Sequence, residues 1–177
     1  MNRLLRFGAV LPLFMTFGVA SQARAQTPTF NLAAGLALAN GNFGDRNDAG
    51  YSLIVGIGAK PLASALSFRA EGIYSEYNQN FENGKARAGG ITGNAIYEFS
   101  MGSGVMLTPY AIGGVGYYST REPLRNFNVE SQTNIGWNLG GGVRFPLTGF
   151  SAYVEARYHS VGNVGIQFAP IVFGLAF

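Results

Sequence analysis

The stretch TNIGWNLGGGVRF, residues 133–145, sorts its side chains into two sets. Thr133, Ile135, Trp137, Leu139, Gly141, Val143 and Phe145 alternate with Asn134, Gly136, Asn138, Gly140, Gly142 and Arg144. Successive side chains of an extended chain point to opposite faces. The stretch therefore reads as a strand with one apolar face and one face of small, polar and cationic groups. A helix would need apolar residues at spacings of three and four, and three consecutive glycines would weaken it further.

The same period of two recurs on both sides. Upstream, Phe30, Leu32, Ala34, Leu36 and Leu38 alternate with Asn31, Ala33, Gly35 and Ala37. Tyr51, Leu53, Val55 and Ile57 define a second strand, with Lys60 on its other face. In a third, Leu66, Phe68, Ala70 and Tyr74 oppose Ser67, Arg69, Glu71 and Ser75; in a fourth, Ile91, Ala95, Tyr97 and Phe99 oppose Thr92, Asn94 and Glu98. The fifth, 107–118, is apolar on both faces, so its orientation is left open. Downstream, Val154, Ala156 and Tyr158 oppose Glu155, Arg157 and His159, and the sequence closes on Ile171, Phe173, Leu175 and Phe177 at alternate places. Segments of about ten residues with alternating faces are the pattern of membrane-spanning barrel strands. The expected fold is all-β: an eight-stranded antiparallel up-and-down transmembrane β-barrel.

Composition agrees. Of 177 residues 47% are hydrophobic and only 12% charged, half the usual share for a soluble domain. No cysteine is present, which excludes disulfides and thiolate metal sites. Residues 1–25 carry Arg3 and Arg6, an apolar run from Phe7 to Ala20, and the small-x-small triplet Ala23-Arg24-Ala25. That is the pattern of a cleaved signal peptide, leaving 26–177 as the barrel domain. Without Arg3, Arg6 and Arg24, nine basic residues face nine acidic ones. Neutrality removes the argument for a nucleic-acid partner.

A lipocalin-like soluble barrel shows the same alternation with the opposite polarity. Its outer face would be dense in Lys and Glu, whereas here the polar faces of the first, fourth and sixth strands are mostly Asn, Thr and Gly. Small groups suit the narrow interior of an eight-stranded barrel. The polar faces are therefore assigned inward and the apolar faces to lipid. PLASA (61–65), SMGSG (100–104) and PLTG (146–149) read as tight turns, and 40–50, 78–87 and 119–130 as longer polar loops. Short periplasmic turns and longer outer loops are the outer-membrane arrangement, with both termini periplasmic.

With the alternating apolar end Ile171, Phe173, Leu175, Phe177, the stretches YAIGGVGYY (110–118), GGGVRFPL (140–147) and VEARYH (154–159) resemble the small outer-membrane β-barrel superfamily of OmpX, OmpA membrane-domain, OmpW and Opa types. The resemblance implies that the terminal aromatic strand is an assembly signal read by the barrel-assembly machinery. It also implies outer-membrane lipids and lipopolysaccharide as surroundings. It identifies a scaffold, which does not fix a function.

Inward polar faces bring Lys60, Arg69, Glu71, Glu98, Arg144, Glu155 and Arg157 into one lumen, where unpaired ions cost several kcal/mol. They are expected to form a paired network, as the resemblance to the OmpA membrane domain also implies. Phe168, Pro170, Val172 and Gly174, facing Ala33, Gly35 and Ala37, outline a candidate slot for a hydrophobic solute, and Pro170, lacking a ladder donor, calls for a bulge. His159-Ser160 departs from the His-x-Ser pair of lipid A deacylases, because adjacent residues of a strand face opposite ways. Asp45 and Asp48 fit an Asx-rich turn better than a calcium loop. The reading is a monomeric, porin-like scaffold with no catalytic residue, cofactor or metal site, serving envelope integrity or surface contact through Asp45, Arg46, Glu82, Lys85, Arg87, Arg121, Glu122 and Arg125. A narrow channel or binder for small solutes is the alternative, and a lipid A-modifying enzyme the third reading.

Overall fold

The computed structural model describes residues 27–61, 64–79, 84–102, 106–123, 129–162 and 165–177. The expected leader, Glu82 and Arg125 lie outside the described residues, as does the side chain of Glu122. Eight strands follow one another: β1 (Thr27–Asn40), β2 (Gly50–Lys60), β3 (Leu66–Asn78), β4 (Lys85–Glu98), β5 (Thr108–Pro123), β6 (Val129–Leu147), β7 (Phe150–Val161) and β8 (Ile166–Ala176). Each pairs antiparallel with the next, and β8 returns to β1, closing the barrel. Closure leaves no open edge, which in a membrane satisfies every strand's backbone. The seam runs from Asn31 opposite Ala176 to Asn40 opposite Gln167. Beyond it Phe30 and Phe177 exchange backbone hydrogen bonds of 3.0 and 2.9 Å, so Phe177 is held in the ladder.

Faces follow sequence parity. Ile57, Ile91 and Leu139 are 66, 71 and 60% exposed on the outside, whereas Arg69, Glu155 and His159 are 3, 1 and 0% exposed within. An apolar wall around ionic groups is the polarity of a membrane barrel. β5, ambiguous by composition, turns Val115 and Tyr117 outward and Tyr110, Ile112 and Tyr118 inward.

Three local expectations are corrected. The stretch 119–130 is mostly ladder, because β5 runs to Pro123 and β6 starts at Val129. Polar residues at the tip of a long hairpin look like a loop to a hydropathy argument, yet still pair their backbones. Pro170 needs no bulge: Ala156 stands opposite Ile171 and His159 opposite Phe168, so the register is the same on both sides of it. The barrel absorbs one missing donor without an inserted residue. The segment 40–50 is not a simple loop either, since α1 (Gly41–Gly44) folds over the barrel end and buries Phe43.

Gly35 marks how tightly the seam is drawn. A Cβ there would lie 2.0 Å from the Ile171 carbonyl oxygen and 2.6 Å from the Val172 Cα, both backbone atoms. Gly35→Ala is expected to cost about 1–3 kcal/mol by overpacking. A lowered midpoint in the heat-induced shift between folded and unfolded gel bands in detergent would report it.

Candidate functional site: the charged and aromatic lumen

For position along the axis, one end of the barrel carries Thr27 and Phe177 and the other carries α1. Nearest the Phe177 end, Glu98 of β4 accepts ion pairs from Lys60 of β2 and Arg144 of β6. The Arg144 guanidinium also lies over the Tyr110 ring, 5.6 Å from its centroid. Adjacent cavities of about 300 and 400 Å³ open at this end, lined in part by Lys60, Arg144 and Glu98.

Next comes a closed ring of alternating charge. Arg69 and Glu71 stand two residues apart on β3, and Glu155 and Arg157 two apart on β7, four strands away across the barrel. Both strands run in the same direction, so Arg69 faces Glu155 and Glu71 faces Arg157. The cross-lumen contacts are 2.6 Å from Arg69 Nη2 to Glu155 Oε2 and 2.6 Å from Arg157 Nη1 to Glu71 Oε2. Along each strand Arg69 Nε lies 2.8 Å from Glu71 Oε1, and Arg157 Nε 2.7 Å from Glu155 Oε1. These last two are charge contacts without hydrogen-bond alignment. All four residues are buried. Neutral donors complete the shell: Tyr110 Oη donates to Glu155 at 2.8 Å, Asn94 Nδ2 to Glu71 at 2.7 Å, and Asn138 Nδ2 to Asn94 at 2.9 Å. Tyr153 offers its ring face to Arg69 at 5.5 Å. Two positive and two negative groups cancel, which is the condition for leaving them dry.

Toward α1 the lumen becomes aromatic. His159 stacks on Phe168 with centroids 4.7 Å apart and planes 7° from parallel. Its Nδ1 lies 2.9 Å from Tyr118 Oη. Tyr77 packs edge-on against Phe168, and Phe43 caps Tyr77 at 5.1 Å. Asn47 Nδ2 holds the cap by donating to the Phe43 carbonyl at 2.9 Å.

Residues 9–177 match the outer membrane protein beta-barrel domain family. The chain belongs to that family. It is thus a small outer-membrane β-barrel protein, of a family that implies the bacterial outer membrane. Among solved structures, Neisserial surface protein A (NspA) aligns with TM-score 0.69 at 19% identity, covering 86% of this chain and 97% of that one. The N-terminal β-barrel domain of Pseudomonas aeruginosa OprF aligns with TM-score 0.51 at 17% identity, over 86% and 100%. The outer membrane enzyme PagL aligns with TM-score 0.54 at 16% identity, over 83% and 98%. Likeness at these identities is likeness of fold. No curated protein matches the sequence.

In this outer-membrane barrel the proposed hydrophobic slot is filled. Phe168 and Val172 join Ala33, Ala37, Ile54, Tyr118 and Tyr153 in one packed cluster, and Gly174 sits against the Tyr153 ring. His159 points into the lumen and its neighbour Ser160 has the opposite strand parity. Lys85, Arg87 and Arg121, expected in loops, stand on β4 and β5 instead. Sequence reasoning named the charged lumen residues but missed Tyr110, Tyr153, Tyr77 and Phe43. Tyr153 and Tyr77 share strand parity with the inward Glu155 and Ser75, a signal that was available; Tyr110 lies on β5, whose two faces composition does not distinguish, and Phe43 is in no strand.

Proposed function

We propose that this outer-membrane barrel is a closed, monomeric, non-enzymatic envelope protein whose lumen network Lys60, Arg69, Glu71, Glu98, Arg144, Glu155 and Arg157 stabilises the barrel and obstructs passage. The observation that carries the reading is the ion ring, which joins the opposite walls β3 and β7 and is followed along the axis by packed aromatics. In this reading residues 1–25 are cleaved on export, the Phe177 end faces the periplasm, and α1 faces outward. Ile171, Phe173, Leu175 and Phe177 line the wall side of β8 as an assembly signal for the barrel-assembly machinery; Ile171, Phe173 and Phe177 are exposed there. The expected result in planar bilayers is silence, both for the native protein and for Arg144→Ala.

A second reading is a gated pore for small solutes. The half-exposed Lys60 and the cavities beside it favour this reading, since the Glu98 cluster is the wettest part of the network. Steady single-channel steps that increase in Glu98→Ala or Arg144→Ala would replace the closed reading with this one.

A further inference from the structure

The outer wall gathers an exposed basic cluster near its α1 end. Lys85 and Arg87 of β4 point outward, their side chains 56 and 52% exposed, and Arg121 of β5 is exposed beside them. The register sets Arg87 directly opposite Arg121. Like charges facing one another across a ladder repel, with Cβ atoms only about 4.5–5.5 Å apart. A carboxylate stands on the far side: Glu76 of β3, opposite Arg87. It is already engaged by Lys85 Nζ at 2.6 Å, Arg87 Nε at 3.0 Å and Tyr74 Oη at 3.0 Å. Arg121 has no ion-pair partner among the described residues. Among the described side chains, three cations against one carboxylate leave an excess of positive charge at this end of the wall.

Height along the barrel identifies the anion. Tyr51, opposite Glu76, and Tyr74 form an exposed ring pair with centroids 6.2 Å apart. Below them Ile91, Tyr117, Ile135 and Val115 continue as an exposed, mainly apolar face, with Ser119 and Thr133 in the row between it and the cluster. Tyrosines mark the border between hydrocarbon and headgroups, so Lys85, Arg87 and Arg121 stand at headgroup level. A free anion would not require an apolar face beneath it; a lipid would.

We infer that Arg87, Arg121 and Lys85 form a binding site for a phosphorylated glycolipid of the outer leaflet. Its phosphate bridges the two guanidinium groups, and its acyl chains lie along Ile91, Val115 and Ile135. Planar guanidinium forks suit phosphate oxygens and Lys85 adds a point charge. Glu76 positions Lys85 and Arg87 without neutralising the cluster. The assignment to the outer leaflet rests on the proposed orientation with α1 outward.

The test uses the full barrel in zwitterionic phospholipid nanodiscs, titrated with bisphosphorylated lipid A, with lipid A stripped of its phosphates, and with inorganic phosphate. The readout is the midpoint of heat-induced unfolding. The phosphorylated lipid should raise it, and the half-maximal concentration should increase at least tenfold in Arg87→Gln/Arg121→Gln and again on adding salt. If the double variant does not fold, Arg121→Gln alone carries the comparison. An equal response to the stripped lipid or to inorganic phosphate, or an unchanged response in the variants, overturns the site. Orientation is read separately: Asn42→Cys, exposed on α1 and outside the proposed site in a chain with no other cysteine, should react with a membrane-impermeant maleimide on intact cells. No labelling, with binding intact, would overturn the outward orientation and the outer-leaflet assignment while the phosphate site stands.

Discussion

Arg157→Met is expected to destabilise the folded barrel by about 3–5 kcal/mol, because it removes one member of a buried ion ring and leaves the others unbalanced. Arg157 contacts Glu71 across the lumen at 2.6 Å and Glu155 along its own strand at 2.7 Å. Its loss leaves Glu71 and Glu155 sharing Arg69. The remaining negative charge is dry, since the side chains of all three are 1–2% exposed. Glu155→Gln added to Arg157→Met restores neutrality and should recover much of the loss, because the cost of a broken pair lies mainly in the uncompensated partner. Urea unfolding in lipid vesicles of the two single variants and the double measures the coupling. The double should cost clearly less than the two singles summed. Additivity within about 0.5 kcal/mol would mean that the four residues act independently, and the ring would have no energetic reality.

The pairing behind that prediction was partly written in the sequence. Arg69-x-Glu71 and Glu155-x-Arg157 each have the spacing that places both groups on one face of a strand. In an up-and-down barrel the third and seventh strands run in the same direction, so the reversed order of charges is the order that makes two opposite-sign pairs across the lumen. Parity and strand count therefore carry most of the interior. The parts that escaped are those where polarity and backbone pairing diverge. Residues 119–122 and Glu130 are polar yet laddered, and Phe43 is apolar yet outside any strand, buried because α1 folds back over Tyr77. Arg87 and Arg121 escaped for the same reason. Assigned to loops by their charge, they acquire a shared face and a mutual repulsion only once β4 and β5 are seen to extend past the tyrosines.

Leu139→Arg tests the other half of the design, the outer wall. Leu139 lies near the middle of β6, 60% exposed and flanked by Gly113 of β5 and Tyr158 of β7. If hydrocarbon covers it, an arginine there should cost about 2–4 kcal/mol, with the cost falling to about 0–1 kcal/mol near either border. Phe145→Arg, six positions along the same face toward the Phe177 end, supplies the border value plus the packing lost with the ring. Asn138→Arg separates wall from lumen. Asn138 is 2% exposed and donates to Asn94, so a cation there disturbs the neutral ion ring and should cost less in an Arg157→Met background, where the lumen charge is again balanced. The cost of Leu139→Arg should not fall in that background, because Leu139 faces away from the ring. Refolding titrations in bilayers of two thicknesses sharpen the comparison, since a thinner bilayer brings position 139 closer to a border and should relieve the penalty there with little effect at 138. A penalty at Leu139 no greater than at Phe145, and indifferent to bilayer thickness, would show that water and not acyl chains covers the apolar wall.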